Sequence, residues 1–464
     1  MAAVRCNDAP ETDGTHMDTR PNSDEARDIR VNLHPYTNAR KHQQTGPLIL
    51  ERGEGVHVWD NHGQRYIEAM AGLWSVGVGF SEPRLVEAAR RQLEKLPYYH
   101  SFSHKSHGPL IDLAEHLVEI APVPMSKVFF TNSGSEANDT AMKLIWYRAN
   151  AMGEPQRKKI IARKRGYHGV TIASASLTGL PYNHASFDLP LPGVLHTGCP
   201  HYFKEAHPGE SEDAFTTRLA TELEEMILAE GPETIAAFFG EPVMGAGGVV
   251  VPPDGYWAKI QAVLRRYDIL LVADEVICGL GRTGRLWGSQ TYEIEPDMLV
   301  SSKQLSSSYQ PIAALMMNER VFEPIADETN RLGTLGHGYT AGGHPVAAAV
   351  SLENLRIIAE RGLVENAAET GAYMQRRLRE FSGHDGVAEV RGVGLIAAME
   401  LAPPEGAAPG ATGAAMNAAL LEQGVISRNM VDAVAFCPPM IITAAQIDEI
   451  VGAVGRALDA TATR

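Results

Sequence analysis

Short apolar runs alternate with helically spaced stretches through the middle of the chain. Val128-Phe129-Phe130, Lys159-Ile160-Ile161-Ala162, Ile235-Ala236-Ala237-Phe238-Phe239, Ile269-Leu270-Leu271-Val272-Ala273 and Met298-Leu299-Val300-Ser301-Ser302 are each bounded by turn residues. Runs this short and continuous read as strands covered on both faces, and their alternation with helical segments between about 108 and 325 predicts a doubly wound α/β sheet, mostly parallel. Upstream, alternation around Val56-His57-Val58-Trp59 and Tyr66-Ile67, interrupted by Asp60-Asn61-His62-Gly63, predicts a strand hairpin over 48–69. Helical spacing follows at 83–96, with charges on one face, and returns from 344 to about 360. The last hundred residues differ in character, with a strand pattern at 389–401, a Pro/Gly/Ala loop at 402–411 and a closing helix after Thr443, together a separate α+β domain. Residues 1–30 are polar with no apolar period and read as a mobile arm, with order beginning near His34-Pro35-Tyr36.

Length and charge narrow the partners. A chain of 464 residues suits two or three domains with ample apolar surface to bury. With 41 basic and 56 acidic residues the net charge is −15, which opposes attraction to nucleic acid or an anionic membrane and directs attention to small molecules. Cys6, Cys199, Cys278 and Cys437 are far apart with no CxxC spacing, so neither a zinc site nor a disulfide framework is expected. No run approaches the roughly 18 apolar residues of a membrane span, and no basic-then-apolar leader opens the chain. A soluble, cytoplasmic protein is the expectation.

Asp274 and Lys303 each stand at the end of one of the apolar runs, where α/β sheets gather ligands. An acid and an amine facing one crevice suit pyridoxal 5'-phosphate (PLP), whose aldehyde condenses with a lysine while a carboxylate keeps the pyridine nitrogen protonated. Lys303 is flanked by Ser301-Ser302 and Leu305-Ser306-Ser307-Ser308-Tyr309, which leave no neighbouring acid to hold its charge; burial there would make the amine nucleophilic near neutral pH. Thr131-Asn132-Ser133-Gly134-Ser135-Glu136-Ala137-Asn138 leads from a strand into a helix, a place for a phosphate or for an ordinary helix cap. Tyr167, in Gly166-Tyr167-His168-Gly169, is either turn packing or an aromatic stacked on a planar ring. Gly279-Leu280-Gly281-Arg282-Thr283-Gly284 fits the dinucleotide spacing GxGxxG, but Asp274-Glu275 intervenes before the first glycine and no amphipathic helix follows. His104 and His107 have helical spacing without a completing carboxylate motif and read as structural or surface residues. Arg428, beyond Val425-Ile426, is as consistent with a surface arginine as with a carboxylate binder.

Taken in order, Asn132-Ser133-Gly134-Ser135-Glu136, Gly166-Tyr167-His168-Gly169, Glu241-Pro242-Val243, Asp274-Glu275-Val276, Gly281-Arg282-Thr283-Gly284, Lys303 and His337-Gly338-Tyr339-Thr340-Ala341-Gly342-Gly343-His344-Pro345 resemble the class III PLP-dependent aminotransferases. The similarity runs from about His34 to the C-terminus and is nearest the omega-amino-acid/amine:pyruvate branch. It implies the fold-type-I architecture: an arm (1–30), a large PLP-binding domain (76–343) and a smaller α+β domain drawn from both chain ends (31–75 and 344–464). It makes Lys303 the Schiff-base lysine and Asp274 the partner of the pyridine nitrogen, with Val276 and Tyr167 on the two ring faces. Ser133, Gly134 and Ser135 would hold the phosphate, His168, Glu241 and Tyr339 would complete the cofactor shell, and Thr340 would reach in from the neighbouring subunit. Sharing of that kind implies a homodimer, with pairing into tetramers left open. Trp74, Phe102 and Tyr167 would line the substrate pocket, and Arg428 matches an arginine that swings to bind a carboxylate or to make room for an apolar group.

The implied reaction moves an amino group from an amine or omega-amino acid to a keto acid such as pyruvate, by a ping-pong route through pyridoxamine phosphate, with S-selectivity and no metal. An aminomutase or decarboxylase on the same scaffold, an NAD-dependent dehydrogenase using Gly279 to Gly284, and a non-catalytic PLP-binding regulator are the competing readings. Gln304 stands where the family commonly has glycine, and Ser307-Ser308 replaces the usual Ser-Gly pair. The preferred donor is open.

Overall fold

In the computed structural model, which describes residues 20–462, the predicted runs assemble into one seven-stranded sheet. Its order is Lys127–Thr131, Ala313–Met317, Met298–Ser301, Leu270–Asp274, Ile235–Gly240, Lys159–Arg163, Val194–Thr197. Ala313–Met317 is antiparallel to both neighbours, and the pairings from Met298–Ser301 to Val194–Thr197 are parallel. Two strands, Val194–Thr197 and Ala313–Met317, are additional to the runs that the apolar pattern marks.

The continuous apolar character of the runs has a direct cause. Ile160, Ala237 and Val272 face Ala141 and Ile145 of helix Gly134–Ala151, whereas Ile161, Phe238 and Leu271 face Phe215 and Leu219 of Glu212–Glu230 and Ile260 of Tyr256–Arg266. Alternate residues are thus buried on opposite faces, each large side chain contributing about 1.5–3 kcal/mol of transfer free energy. Because Leu270–Asp274 and Met298–Ser301 are parallel neighbours, with Asp274 paired to Val300, Asp274 and Lys303 emerge side by side at the carboxyl end of the sheet.

The predicted hairpin is a three-stranded meander, Leu50–Glu54, His57–Asp60 and Arg65–Glu68. Asp60 fixes its second turn, accepting from the His62 and Gln64 amides and from the Tyr66 hydroxyl. The third strand takes Val425–Ile426 as a parallel neighbour, so residues from the two ends of the chain share one sheet. The pattern at 389–401 is the hairpin Val387–Val393 and Ile396–Leu401, extended by Ala433–Phe436 and Arg428–Met430. The helices expected at 83–96, 344–360 and after Thr443 are Pro83–Lys95, Pro345–Glu360 and Ala444–Ala462. Pro345–Glu360 packs on Pro83–Lys95 and Gly108–Glu119, and one apolar core runs through Leu113, Leu299, Leu355 and Ile450.

Two expectations are corrected. The arm contains a helix, Asp24–Val31, whose N-cap Ser23 accepts from the Ala26 amide. It escapes periodicity because Glu25 is its buried side chain: the helix is held by polar contacts, not by an apolar stripe. Residues 1–19 of the arm, with Cys6, lie outside the described residues. His104 and His107 do not share a helix. His104 sits in a loop at φ +64°, and His107 is the N-cap of Gly108–Glu119, accepting from the Leu110 amide and donating from Nε2 to the Gly343 carbonyl at 3.0 Å. Among the described residues no helix is long and apolar enough to cross a membrane.

Candidate active site

At the carboxyl end of the sheet lies a cavity of about 260 Å³ whose walls include Ser133, Gly134, Ser135, Tyr167, His168, Glu241, Asp274, Val276 and Lys303. Residues from five separate segments therefore converge on one hollow. Asn132, Asn138, Gly169, Ile277, Ser302 and Gln310 line it as well.

Asp274 is 3% exposed and is held from three directions. Its Oδ2 accepts from Asn138 Nδ2 and from His168 Nδ1, each at 2.8 Å, and its Oδ1 accepts from the Val276 amide at 3.1 Å. Asn138 Nδ2 also donates to the His168 carbonyl at 2.7 Å, and the His168 amide donates to Thr178 Oγ1 at 2.9 Å, so the imidazole and the carboxylate are fixed relative to each other. His168 Nε2 is buried without a partner among the described residues. Glu241 is also buried, accepting from the Tyr167 and Gly245 amides, both at 2.9 Å; burial raises its pKa, against the pull of His168.

Lys303 follows the strand end in a short turn and adopts φ +43°, a left-handed conformation that disfavours an L-residue by about 1–2 kcal/mol. The turn points its amine into the cavity, where desolvation lowers its pKa below the usual 10.5; Asp274 and Glu241 oppose that shift and Arg428 reinforces it. Ser307 and Ser308 are likewise left-handed, at φ +47° and +58°, where the Ser-Gly of the resembled family would relax one of them. Ser307 Oγ compensates by accepting from the Val78 amide and donating to Asn354 Oδ1 at 2.8 Å. Gln304 is buried against Gly77, and neither of its amide atoms has a partner among the described residues.

The cap reading of the 131–138 segment is seen directly. Ser133 Oγ caps Gly134–Ala151 by accepting from the Glu136 amide, and Glu136 returns the contact to the Asn132 amide at 2.7 Å, so the helix start is a cap that also forms a cavity wall. A Cβ on Gly134 would meet Val276 Cγ2 at 3.1 Å, so glycine brings the backbone close to that side chain.

Five of the sequence-derived site residues do not line this cavity within one chain. Trp74 is 2% exposed and packs beside Ile277, Val243 and Met430. Arg428, on Arg428–Met430, makes no ion pair among the described residues, while its charge is felt by Tyr167 and Lys303. Phe102 and Tyr339 line a separate surface groove, and Thr340 is exposed, its carbonyl accepting from the Tyr98 hydroxyl at 2.8 Å. The turn 279–284 is structural in its contacts: Arg282, 1% exposed, donates to the Leu395 and Pro438 carbonyls, tying the sheet's loops to the C-terminal hairpin. Asn138 is a functional residue that sequence reasoning missed. The available signal was an asparagine inside a helix, where its side chain disfavours the conformation unless it has another task.

The model of the family described as Aminotransferase class-III matches residues 37–458. The chain belongs to the class III aminotransferases. This aminotransferase is 48% identical over 442 residues to gamma aminobutyrate transaminase 1, mitochondrial, of Solanum lycopersicum, covering 93% of this chain and 85% of the relative. It is 48% identical over 438 residues to the corresponding Oryza sativa subsp. japonica protein, again over 93% and 85%. Among solved structures, the omega transaminase from Pseudomonas jessenii in complex with PMP shares 61% identity at a TM-score of 0.94, over 95% of this chain and 98% of that one. A transaminase with L-ala shares 67% at a TM-score of 0.89, over 90% and 99%. The enzyme is thus a PLP-dependent transaminase of the α/β class with a large sheet and a smaller domain.

The cavity fits that cofactor. A hydrogen-bonded carboxylate, a desolvated amine, an unpartnered imidazole nitrogen and a helix start border one space of small-molecule size.

Proposed function

We propose that this aminotransferase moves the amino group of an amine or omega-amino acid to pyruvate, with preference for S-amines. The observation that carries the reading is the convergence of Lys303 and the Asn138/His168-held Asp274 on one cavity. PLP, when bound, supplies an aldehyde that condenses with amines and a ring that withdraws electrons from the substrate Cα.

Lys303 would be the nucleophile that holds the cofactor's aldehyde carbon and, as the free amine, the base that takes the substrate Cα proton and delivers it across the intervening nitrogen to the cofactor carbon. Its lowered pKa keeps a neutral fraction available for both tasks. Asp274 would keep a proton on the cofactor's ring nitrogen, and its three hydrogen-bond donors fix the carboxylate for that role. Val276 and Tyr167 would border the ring and Ser133, Gly134 and Ser135 would receive the phosphate at the helix start, while Glu241 fixes the Tyr167 backbone. Arg428, without an ion-pair partner among the described residues, is available to a substrate carboxylate and can withdraw for an apolar group.

The enzyme works as a homodimer. Phe102, Tyr339 and Thr340, away from the cavity of their own chain, then serve the partner's site, and Trp74, packed with Ile277 of the cavity wall, backs the substrate side. The working compartment is the cytoplasm, in keeping with free thiols at Cys199, Cys278 and Cys437; cell fractionation that finds the protein elsewhere overturns this part.

The test is a near-400 nm spectrum of purified protein followed by a panel of donors, including gamma-aminobutyrate, β-alanine and each enantiomer of 1-phenylethylamine, with pyruvate. Alanine formation supports the reading. Product with no alanine, or keto acids other than pyruvate serving far better, refutes the acceptor assignment.

A further inference from the structure

Residues 32–38 form a loop between helices Asp24–Val31 and Ala39–Thr45, and both ends of the loop are fastened by one carboxylate. Asp28 Oδ2 accepts from His34 Nε2 at 2.6 Å and from His42 Nε2 at 3.1 Å, and the two imidazoles lie 4.2 Å apart between centroids. Asp28 Oδ1 accepts from Asn32 Nδ2 at 3.0 Å. Asn38 caps the second helix by accepting from the Arg40 and Lys41 amides, and Glu25 anchors the first helix to Asn61 at 2.8 Å.

Among the described residues these are the one group of three side chains placed to hold a metal ion. The 2.6 Å separation argues for a hydrogen bond instead, because two ligands about 2.0–2.1 Å from a tetrahedral ion would stand about 3.3 Å apart. The group is a clamp.

What it clamps is Tyr36, at φ +52° in the middle of the loop. A left-handed aromatic residue persists only where its surroundings over-determine it, and such strain concentrates at ligand clamps. The Tyr36 hydroxyl accepts from Asn183 Nδ2 at 2.7 Å, its ring meets Tyr182 edge-on at 6.2 Å, and it lies near enough to Tyr167, in the cavity wall, to help raise that phenol's pKa.

We propose that Asp28, His34 and His42 are positioning residues that hold the N-terminal segment in place so that Tyr36 bounds the amine-binding mouth above Tyr167. The inference rests on the reading of Tyr167 as part of the active site. Asp28 touches neither substrate nor cofactor; it acts through Tyr36. Its carboxylate lets go of both histidines at once if replaced, and the loop then loses its left-handed apex.

A double-mutant cycle tests this in the PLP-loaded enzyme with 1-phenylethylamine as donor. Asp28→Ala is expected to raise KM for the amine about fivefold, with kcat and bound-PLP absorbance within about twofold of wild type. Tyr36→Phe is expected to raise the same KM, and Asp28→Ala to add nothing in the Tyr36→Phe background. His34→Ala, a milder lesion, should move KM in the same direction and serves if Asp28→Ala does not fold. Independent, multiplying effects of Asp28 and Tyr36, or a loss of thermal stability with KM unchanged, overturn the clamp. Absence of any amine turnover in the wild-type enzyme overturns the proposed function and this inference with it, whereas normal wild-type turnover with unaltered KM in both variants overturns the clamp alone.

Discussion

His168 Nδ1 donates to Asp274 Oδ2 at 2.8 Å, both side chains being buried, while Asn138 holds the same oxygen from the other side. The imidazole is thereby fixed as the Nδ1–H form toward the acid. A hydrogen bond to a charged group contributes about 1.5–3 kcal/mol, so His168→Phe should lower kcat about tenfold to a hundredfold with the cofactor still bound. Asp274→Asn should lower it further, by about a hundredfold to a thousandfold. Steady-state kinetics at saturating PLP checks the order; equal kcat values for His168→Phe and wild type would show that the imidazole is dispensable.

Desolvation lowers the Lys303 pKa, and this has a sign that stability measurements can read. In PLP-free protein the unfolded lysine retains its proton up to about 10.5, while the buried one releases it sooner, so the unfolded state binds more protons in between. Stability relative to Lys303→Met should rise with pH from the depressed folded pKa up to 10.5. Thermal melts of the two apoproteins across alkaline pH give the comparison, and a constant difference would contradict a perturbed amine. The same variant should lose turnover entirely.

Arg428 has no ion-pair partner among the described residues, so its guanidinium is free for a substrate carboxylate. Arg428→Ala should raise KM for pyruvate by at least about tenfold, the measure of a lost charged hydrogen-bonded pair, and change KM for an uncharged amine much less. Equal losses toward both substrates would remove Arg428 from carboxylate binding.

A Cβ added to Gly77 would overlap the Gln304 side-chain amide, itself buried and without hydrogen-bond partners. Gly77→Ala is therefore expected to destabilise the enzyme by about 1–3 kcal/mol through overpacking, and Gln304→Ala to restore most of that loss. Chemical denaturation of the two single variants and the double variant measures the compensation; additive destabilisation would place the clash elsewhere.

The sheet and its chemistry were legible in the sequence because burial on both faces writes continuous apolar runs, and because a strand's end is the last residue of such a run. That is why Asp274 and Lys303 could be paired from spacing alone, and why the helices at 83–95, 345–360 and 444–462 fell where periodicity put them. The Asp24–Val31 helix left no such trace. Its attachments are Glu25 to Asn61 and Asp28 to two histidines, polar contacts with no period.

By itself the sequence determined five of the seven strands of the large sheet, the acid and amine that follow two of them, and the motif order that identifies the family. Only the tertiary structure decided what surrounds those groups: Asn138 and His168 on Asp274, the left-handed turn at Lys303, and the absence of Phe102, Tyr339 and Thr340 from the cavity of their own chain. The physical reason is range. Periodicity reports the burial of a residue against its own element, whereas hydrogen bonds between positions 30 to more than 130 residues apart depend on directions that only the assembled sheet and loops provide.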